Sequence, residues 1–354
     1  MSEKKQVFGY ILNQFGVLAS GHKNEKKVVE IRKFPTGHIN KTYFIHISGD
    51  DDIFASDYVL QTLNSNVYIS SEAVMHNIEV ISERFDEEYI PQDGDMDIDI
   101  PQFLYVNDKN YLELAGECWR MYRYIPEAQD LSKTPFQIGF AYGRYIQKLN
   151  TGELELLQTV EGYHDFEAYH NRLLAVTKDN SFETIKAFRS KLGAIFTEDI
   201  PKRHIHGDAK ADNVILRSDG ICTILDLDTT MKHYVALDYG DMVRSVTSGI
   251  PEGEMLDAIR LATAGFANGL DGILTRQEID SLFYGILWVT WELAVRYLTD
   301  CYTEERYFVN MTVEQCKERV QQLIEQSEKF SQIKEQIKLI IEAEFVKYTS
   351  GTAM

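Results

Sequence analysis

One break in pattern constrains this chain more than any other feature. Up to Pro126 short β-rich runs dominate; beyond it nearly every segment repeats apolar residues at helical spacing. A chain sorted this way folds as α+β, with sheet and helices segregated rather than alternating. Residues 5–20 predict a short helix with Val7, Ile11 and Phe15 on one face. Lys27–Arg32 and Lys41–Ile47 predict strands joined by the turn-rich Phe34–Asn40, and Asp57–Leu63 predicts a third. Ser70–Glu72 reads as the cap of a helix reaching about Phe85, with Val74, Ile78 and Ile81 on its apolar face. The acidic stretch Asp86–Ile100, with Pro91 and Gly94, reads as a surface connection. Strands are expected around Gln102–Val106, Tyr111–Leu114 and Trp119–Ile125.

Beyond Pro126, Phe136–Leu149, Phe166–Val176, Phe182–Ile195, Leu256–Ala267 and Glu278–Tyr297 predict helices. Thr312 to about Tyr348 predicts one long helix. Val313, Cys316, Val320 and Leu323 recur there at helical steps, as do Ile333, Ile337 and Ile340. A compact β-like insert, His204–Asp208, Asn213–Arg217 and Ile221–Leu227, sits among them. The expectation is a bilobal chain: a small antiparallel β-rich N-lobe over 1–125, a larger, mostly helical C-lobe over 126–354, and a hinge near Tyr122–Glu127. A length of 354 residues suits two lobes, at roughly 100–200 residues per domain.

Charge narrows the function. There are 36 Lys and Arg against 55 Asp and Glu, a net charge of −19. Nucleic acid or an anionic membrane as partner is thereby excluded, because phosphate neutralisation needs clustered cations. A small phosphorylated ligand stays open, since a metal ion can hold it on an acidic protein. Cys118, Cys222, Cys301 and Cys316 form no C-x-x-C pair and read as reduced thiols. No N-terminal apolar core of signal-peptide length is present, and the most apolar run, around Phe283–Val289, is far short of the ~20 residues of a span. The expected location is the cytoplasm. An EF-hand beginning at Asp93 needs Gly and Glu where Ile98 and Leu104 stand, so the acidic loop reads as solvated.

The chemistry concentrates in His206–Asp228, HGDAKADNVILRSDGICTILDLD. Asp208 follows a glycine and opens a loop, Asn213 comes five positions later, and Asp226 ends an apolar strand. Phosphoryl transfer uses such groups: a carboxylate that accepts the proton of an incoming hydroxyl, and oxygen ligands that hold Mg²⁺ against a triphosphate. Asp208 suits the base, Asn213 and Asp226 the metal, and Lys210 a point charge for the transferring group. The plain alternative is a turn between two strands; the joint spacing favours chemistry. His206 is expected to pack beneath Asp208 and fix its backbone. A His204/His206 metal site lacks a third ligand.

His206-Gly-Asp-x-Lys-x-x-Asn213 followed by Ile224-Leu-Asp226 resembles the catalytic and metal loops of the aminoglycoside phosphotransferase-like kinases. The nearer resemblance is to bacterial N-acetylhexosamine 1-kinases. It is carried by Gly37–Thr42, Tyr58–Asn64, Trp119–Ile125, Asp226–Thr229, Asp238–Arg244, Glu292–Asp300 and Tyr307-Phe308. The resemblance implies a protein-kinase-like fold, ATP and Mg²⁺ as cofactors, and a sugar as acceptor. It implies a loop over the ATP phosphates at Gly37–Thr42, including His38 and Asn40, with Gln61 near the nucleotide. Asp228 becomes a second metal carboxylate, Arg296 and Tyr307 sugar contacts, and Arg123 a candidate near phosphates or substrate. Arg296 has a plain alternative too, an ion pair with Glu292 one helical turn earlier.

Two departures stand out. Tyr58–Asn64 holds no strand lysine, and Thr62 follows Gln61 where relatives are expected to carry Arg, leaving Lys41 or Arg123 to compensate. Two rival readings follow. One keeps the fold and takes an aminoglycoside, choline, homoserine or another amino alcohol. The other is a catalytically weak nucleotide-binding protein on the kinase scaffold. The oligomeric state is not legible.

Overall fold

Lys41–Ser48 (β2) alternates inward and outward residues, and its neighbours share that period, so they pair into one antiparallel sheet. The computed structural model describes residues 3–18, 27–34, 39–48, 55–86, 96–129, 131–177, 192–308 and 311–349. Gly37, His38, the acidic residues 87–95 with Asp93, and most of the predicted helix Phe182–Ile195 lie outside the described residues.

The sheet takes the order β1-β2-β3-β6-β5, from Lys27–Lys33 (β1), β2, Ser56–Thr62 (β3), Glu117–Arg123 (β6) and Leu112–Leu114 (β5). Its register puts Tyr43, Leu60 and Met121 in one row and Thr42, Gln61 and Arg120 in the next. Adjacent rows point to opposite faces. One face is sealed by Glu3–Gln14 (α1), whose Phe8, Ile11 and Leu12 join Phe15, Ile45, Leu60, Trp119 and Met121 in a core. Each such side chain contributes roughly 1.5–3 kcal/mol on burial. The predicted face is corrected here: Val7 is exposed, and the helix ends at Gln14 before Phe15. Ser71–Asp86 (α2) starts where Ser70 Oγ accepts from Ala73 N, and Val74, Ile78 and Ile81 are buried as expected. Gln102–Val106 does not form the predicted strand. Phe103 makes one bridge to Tyr122 and Leu104 N donates to Met121 O, while β5 pairs with Glu117–Trp119. The outer edge of β6 is thus divided between two partners.

These elements make one unit, Met1–Glu87 with Ile100–Pro126 and Leu157–Glu161; the other unit is Glu88–Asp99, Glu127–Leu156 and Gly162–Met354. The predicted surface connection is corrected at its end, where two residues form a strand. Ile98–Asp99 (β4) pairs in parallel with Cys222–Ile224 (β9), which pairs in turn with Val214–Leu216 (β8). Ile98 is buried there, and Arg217 bonds Asp99. Arg203–Ile205 (β7) pairs with Met231–His233 (β10).

Among the described residues, the second unit includes the helices Pro135–Leu149 (α3), Phe166–Thr177 (α4), Val235–Val246 (α5), Glu252–Leu270 (α6), Arg276–Asp300 (α7), Val313–Gln332 (α8) and Lys334–Thr349 (α9). Capping boxes at Thr134, Thr275 and Thr312 fix three of their starts. Helix α5 is not among the helices that the sequence predicts. The predicted single C-terminal helix is two, broken at Ile333. Helices α5 and α7 meet backbone to backbone: a Cβ added at Gly285 would lie 1.8 Å from Ala236 O, and one at Gly240 2.3 Å from Gly285 O. This contact needs glycine on both sides and sets where the acidic residues of α5 and α7 stand.

Candidate active site

Strand β7 ends at Ile205 and delivers His206-Gly-Asp208 as a short loop. Three elements hold that loop. From α5, the Asp238 carboxylate accepts His206 N at 2.6 Å and Gly207 N at 2.8 Å, one on each oxygen. Burial pushes the Asp238 carboxyl up to about 7 against those two donors. Thr229 Oγ1 donates to His206 O. Gly207 has φ +81°, and a Cβ there would stand 2.5 Å from Thr229 O, so the turn requires glycine.

His206 is fully buried beneath the loop. Its Nδ1 accepts Asp208 N at 3.2 Å, so its proton sits on Nε2, which donates to Leu225 O at 2.8 Å. Burial lowers its pKa, in keeping with a neutral ring, and Tyr142 and Tyr145 pack edge-on against it. It braces Asp208, as expected from the sequence.

Asp208 is half-buried. Its Oδ2 takes Lys210 Nζ at 2.6 Å and Asn213 Nδ2 at 3.1 Å. Both donors go to that oxygen, leaving Oδ1 to accept a proton. Burial opposes its charge, yet Lys210 and Asn213 prevail and keep the pKa below the usual carboxylate range. Lys210 shows the converse: burial disfavours its charge, while Asp208 and Asp226 raise its pKa. The turn Ala211–Asn213 is fastened by Lys133 Nζ donating to Ala211 O and Val214 O, by Ala211 N donating to Ser245 Oγ, and by Tyr142 OH donating to Lys210 O. Nothing in the sequence around Lys133 signals this role.

Asn213 and Asp226 meet at neighbouring ends of the β8–β9 hairpin, where Leu225 N donates to Asn213 O at 2.8 Å. Asp226 is exposed and left-handed, φ +57°, while Asp228 is buried in the turn Leu227–Thr229. With Nδ2 committed to Asp208, Asn213 Oδ1 faces the role of acceptor. Among the described residues no cluster of three or more His, Cys, Asp or Glu is gathered as a metal site. Mg²⁺ does not need one: it takes one or two carboxylates and completes its shell with phosphate oxygens and water, so the oxygen donors here fit it.

Arg296, on α7, does not make the ion pair with Glu292 that its spacing allows. Its guanidinium carbon lies 4.3 Å from the Tyr307 ring centre, 5.3 Å from Tyr169, 5.7 Å from Phe308 and 5.8 Å from Tyr163. Asp300 accepts Tyr307 N and Phe308 N and so positions two of those rings. Burial raises the Tyr163 pKa, and Asp208 raises it further while Arg296 opposes the rise. The Glu292 carboxylate is taken instead by His164 and Trp288.

In the first unit, Thr42 Oγ1 accepts Gln61 Nε2 at 3.1 Å, and Gln61 Oε1 accepts Arg120 Nε at 2.9 Å. These three residues are the polar row of the sheet. Arg120, 2% exposed and overlooked in the sequence, is the cation next to Gln61. Asn40 Oδ1 accepts Asn64 N. Lys41 is engaged with Glu117 at the surface, and Arg123 is exposed at the end of β6.

Comparison with known proteins bears on all of this. The sequence profile of the phosphotransferase enzyme family matches residues 30–273. Choline kinase from Cryptosporidium parvum Iowa II superposes with a TM-score of 0.58 at 8% identity, covering 97% of this chain and 100% of its own. An amicoumacin kinase solved with AMP-PNP, Ca²⁺ and Ami gives 0.57 at 14% identity, covering 91% and 96%. An aminoglycoside phosphotransferase from Alicyclobacillus acidocaldarius gives 0.53 at 11%, covering 88% and 92%. The antiparallel sheet and the helices together make the protein-kinase-like fold of these enzymes. Among the described residues no helix is long and apolar enough to cross a membrane.

Proposed function

We propose that this chain, which belongs to the phosphotransferase enzyme family, is an ATP- and Mg²⁺-dependent kinase that phosphorylates a sugar, at the anomeric hydroxyl of an N-acetylhexosamine. In this reading Asp208 Oδ1 accepts the proton of the acceptor hydroxyl. A carboxylate held below its usual pKa is a weak base. That suits a loose phosphoryl transfer, in which the nucleophile need not be deprotonated early. Lys210 turns from Asp208 toward the transferring phosphoryl group. Asn213 Oδ1, Asp226 and Asp228 would hold Mg²⁺, which when bound would supply the charge that neutralises the phosphates. Asn40, Thr42 and Gln61, with Gly37 and His38, attend the nucleotide phosphates, and Arg123 is a further phosphate or substrate contact.

One observation carries the choice of acceptor: Arg296 fills its own aromatic cluster. Aromatic rings around a cation are how proteins recognise quaternary ammonium groups. Here the cation is already supplied, so the cluster repels choline or an aminoglycoside and offers N–H donors to neutral oxygens. The amino-alcohol reading keeps one point in its favour, the net charge of −19. ATP turnover across N-acetylhexosamines, plain hexoses, choline, homoserine and aminoglycosides decides the matter. Turnover with N-acetylhexosamines is expected; turnover confined to cationic acceptors sinks the assignment, and none at all favours the nucleotide-binding alternative.

A further inference from the structure

His164 is buried, 5% exposed, in a Gly-Tyr-His segment without a recognisable motif. Its backbone is left-handed, φ +58°, a conformation that non-glycine residues rarely adopt and that collects at functional sites. Its Nδ1 faces both oxygens of Glu292, at 3.1 and 3.2 Å, and its Nε2 lies 2.8 Å from Gly207 O. A carboxylate and a carbonyl only accept, so both ring nitrogens must donate and the ring must be an imidazolium. Trp288 Nε1 donates to the same carboxylate; burial opposes the Glu292 charge, but His164, Arg296 and that bond hold its pKa below the ordinary value, so it stays an ionised acceptor.

We infer that His164 is a positioning residue, a fixed imidazolium that locks the Gly207–Asp208 peptide and ties it to Glu292 on the helix that carries Arg296. The remaining atoms of this loop are already held. His206 N and Gly207 N go to Asp238, and Asp208 N goes to His206. Gly207 O is the atom that sets the tilt of the peptide leading into Asp208, and His164 holds it from a different element. The adjacent Tyr163 packs on Arg296, so one dipeptide touches both the aromatic cluster and the catalytic loop.

The electrostatics agree. Burial alone lowers the His164 pKa, but Glu292, then the Gly207 carbonyl and Asp241, raise it to about 9. The other groups that face it are Asp238 on α5 and His233 at the end of β10, the latter depressed to about 3 by burial and by His164. A folded pKa above the ordinary ~6.5 stabilises fully below that value, and the gain is lost as pH rises through about 9.

The kinetic part of this inference rests on the kinase reading; the spectroscopic part does not. In ¹⁵N-histidine spectra of the whole protein, one ring is expected to stay doubly protonated at pH 7.5 and titrate near 9, and to vanish in His164→Gln. A neutral His164 at pH 7.5 overturns the inference whether or not the protein turns over ATP. In turnover, His164→Gln should lower kcat about 100-fold with KM for ATP unchanged, the scale of a misplaced catalytic group. In Glu292→Gln the amide can donate to Nδ1, so a neutral ring keeps the Nε2 bond to Gly207 O, and the alkaline limb of kcat near 9 should disappear. An unchanged alkaline limb in both variants, with kcat near wild type, refutes the positioning role.

Discussion

Replacing Gly285 by Ala tests the packing that places the acidic residues of α5 and α7. The added carbon would stand 1.8 Å from Ala236 O, 2.4 Å from its carbonyl carbon and 2.9 Å from its Cβ. A carbon–oxygen contact settles at about 3.3 Å or more, so the helices must part by roughly 1.5 Å at this point. No flexible side chain is there to yield; the obstructing atoms are mainly backbone. Overpacking costs about 1–3 kcal/mol, and a clash against backbone belongs at the upper end. In a unit of this size each kcal/mol moves Tm by about 2–4 °C, so Gly285→Ala should lower it by roughly 6–12 °C. Calorimetry reads the shift directly, and urea titration should show a lower midpoint at unchanged slope. Because Asp238 rides on one helix and Glu292 on the other, turnover should fall even at temperatures where the variant is folded. A Tm within about 2 °C of wild type means that the two helices do not meet as described.

Asp208→Asn should cut turnover by about 10²–10⁴-fold or more while calorimetric nucleotide affinity holds; full activity removes Asp208 as the base. Asp226→Ala should abolish the Mg²⁺-dependent part of nucleotide binding, and equal affinity with and without Mg²⁺ in wild type and variant alike counts against the metal assignment. Arg203 pairs Nε and Nη2 with both oxygens of Glu278, which is 1% exposed, at 2.6 and 2.9 Å. Arg203→Ala leaves that buried carboxylate without a cation, held only by Thr275 N and Oγ1, and should cost about 3 kcal/mol in urea unfolding, whereas a loss under about 1 kcal/mol contradicts the role of the pair.

How far the chain could be read without its fold depended on how local each signal was. Asp208, Lys210, Asn213 and Asp226 lie within one short stretch, and the chemistry proposed for them needs that spacing, so the candidate catalytic loop was legible as text. The strands β1, β2 and β3 and most helices were legible too, because a face buried along one element leaves its period in the sequence.

What escaped were features decided by a distant partner. Gln102–Val106 has strand composition, but the edge of β6 is shared with β5, so only a bridge forms. Ile98–Asp99 sits at the end of an acidic stretch, yet it becomes a strand because β9 lies open beside it. Val235–Val246 carries a glycine and two aspartates and still folds as a helix, because Gly240 lets it press on Gly285.

The same division runs through the site. The sequence by itself determined the α+β class, the candidate base and the candidate metal oxygens, since these rest on residue type and short spacing. Only the tertiary structure decided that Arg296 stacks in a ring of aromatics instead of pairing with Glu292, that Arg120 backs Gln61, and that His164, 128 residues before Glu292, is held as a cation against the catalytic loop. A side chain's charge state and its partner follow from what burial brings against it, and no one-dimensional pattern carries that distance.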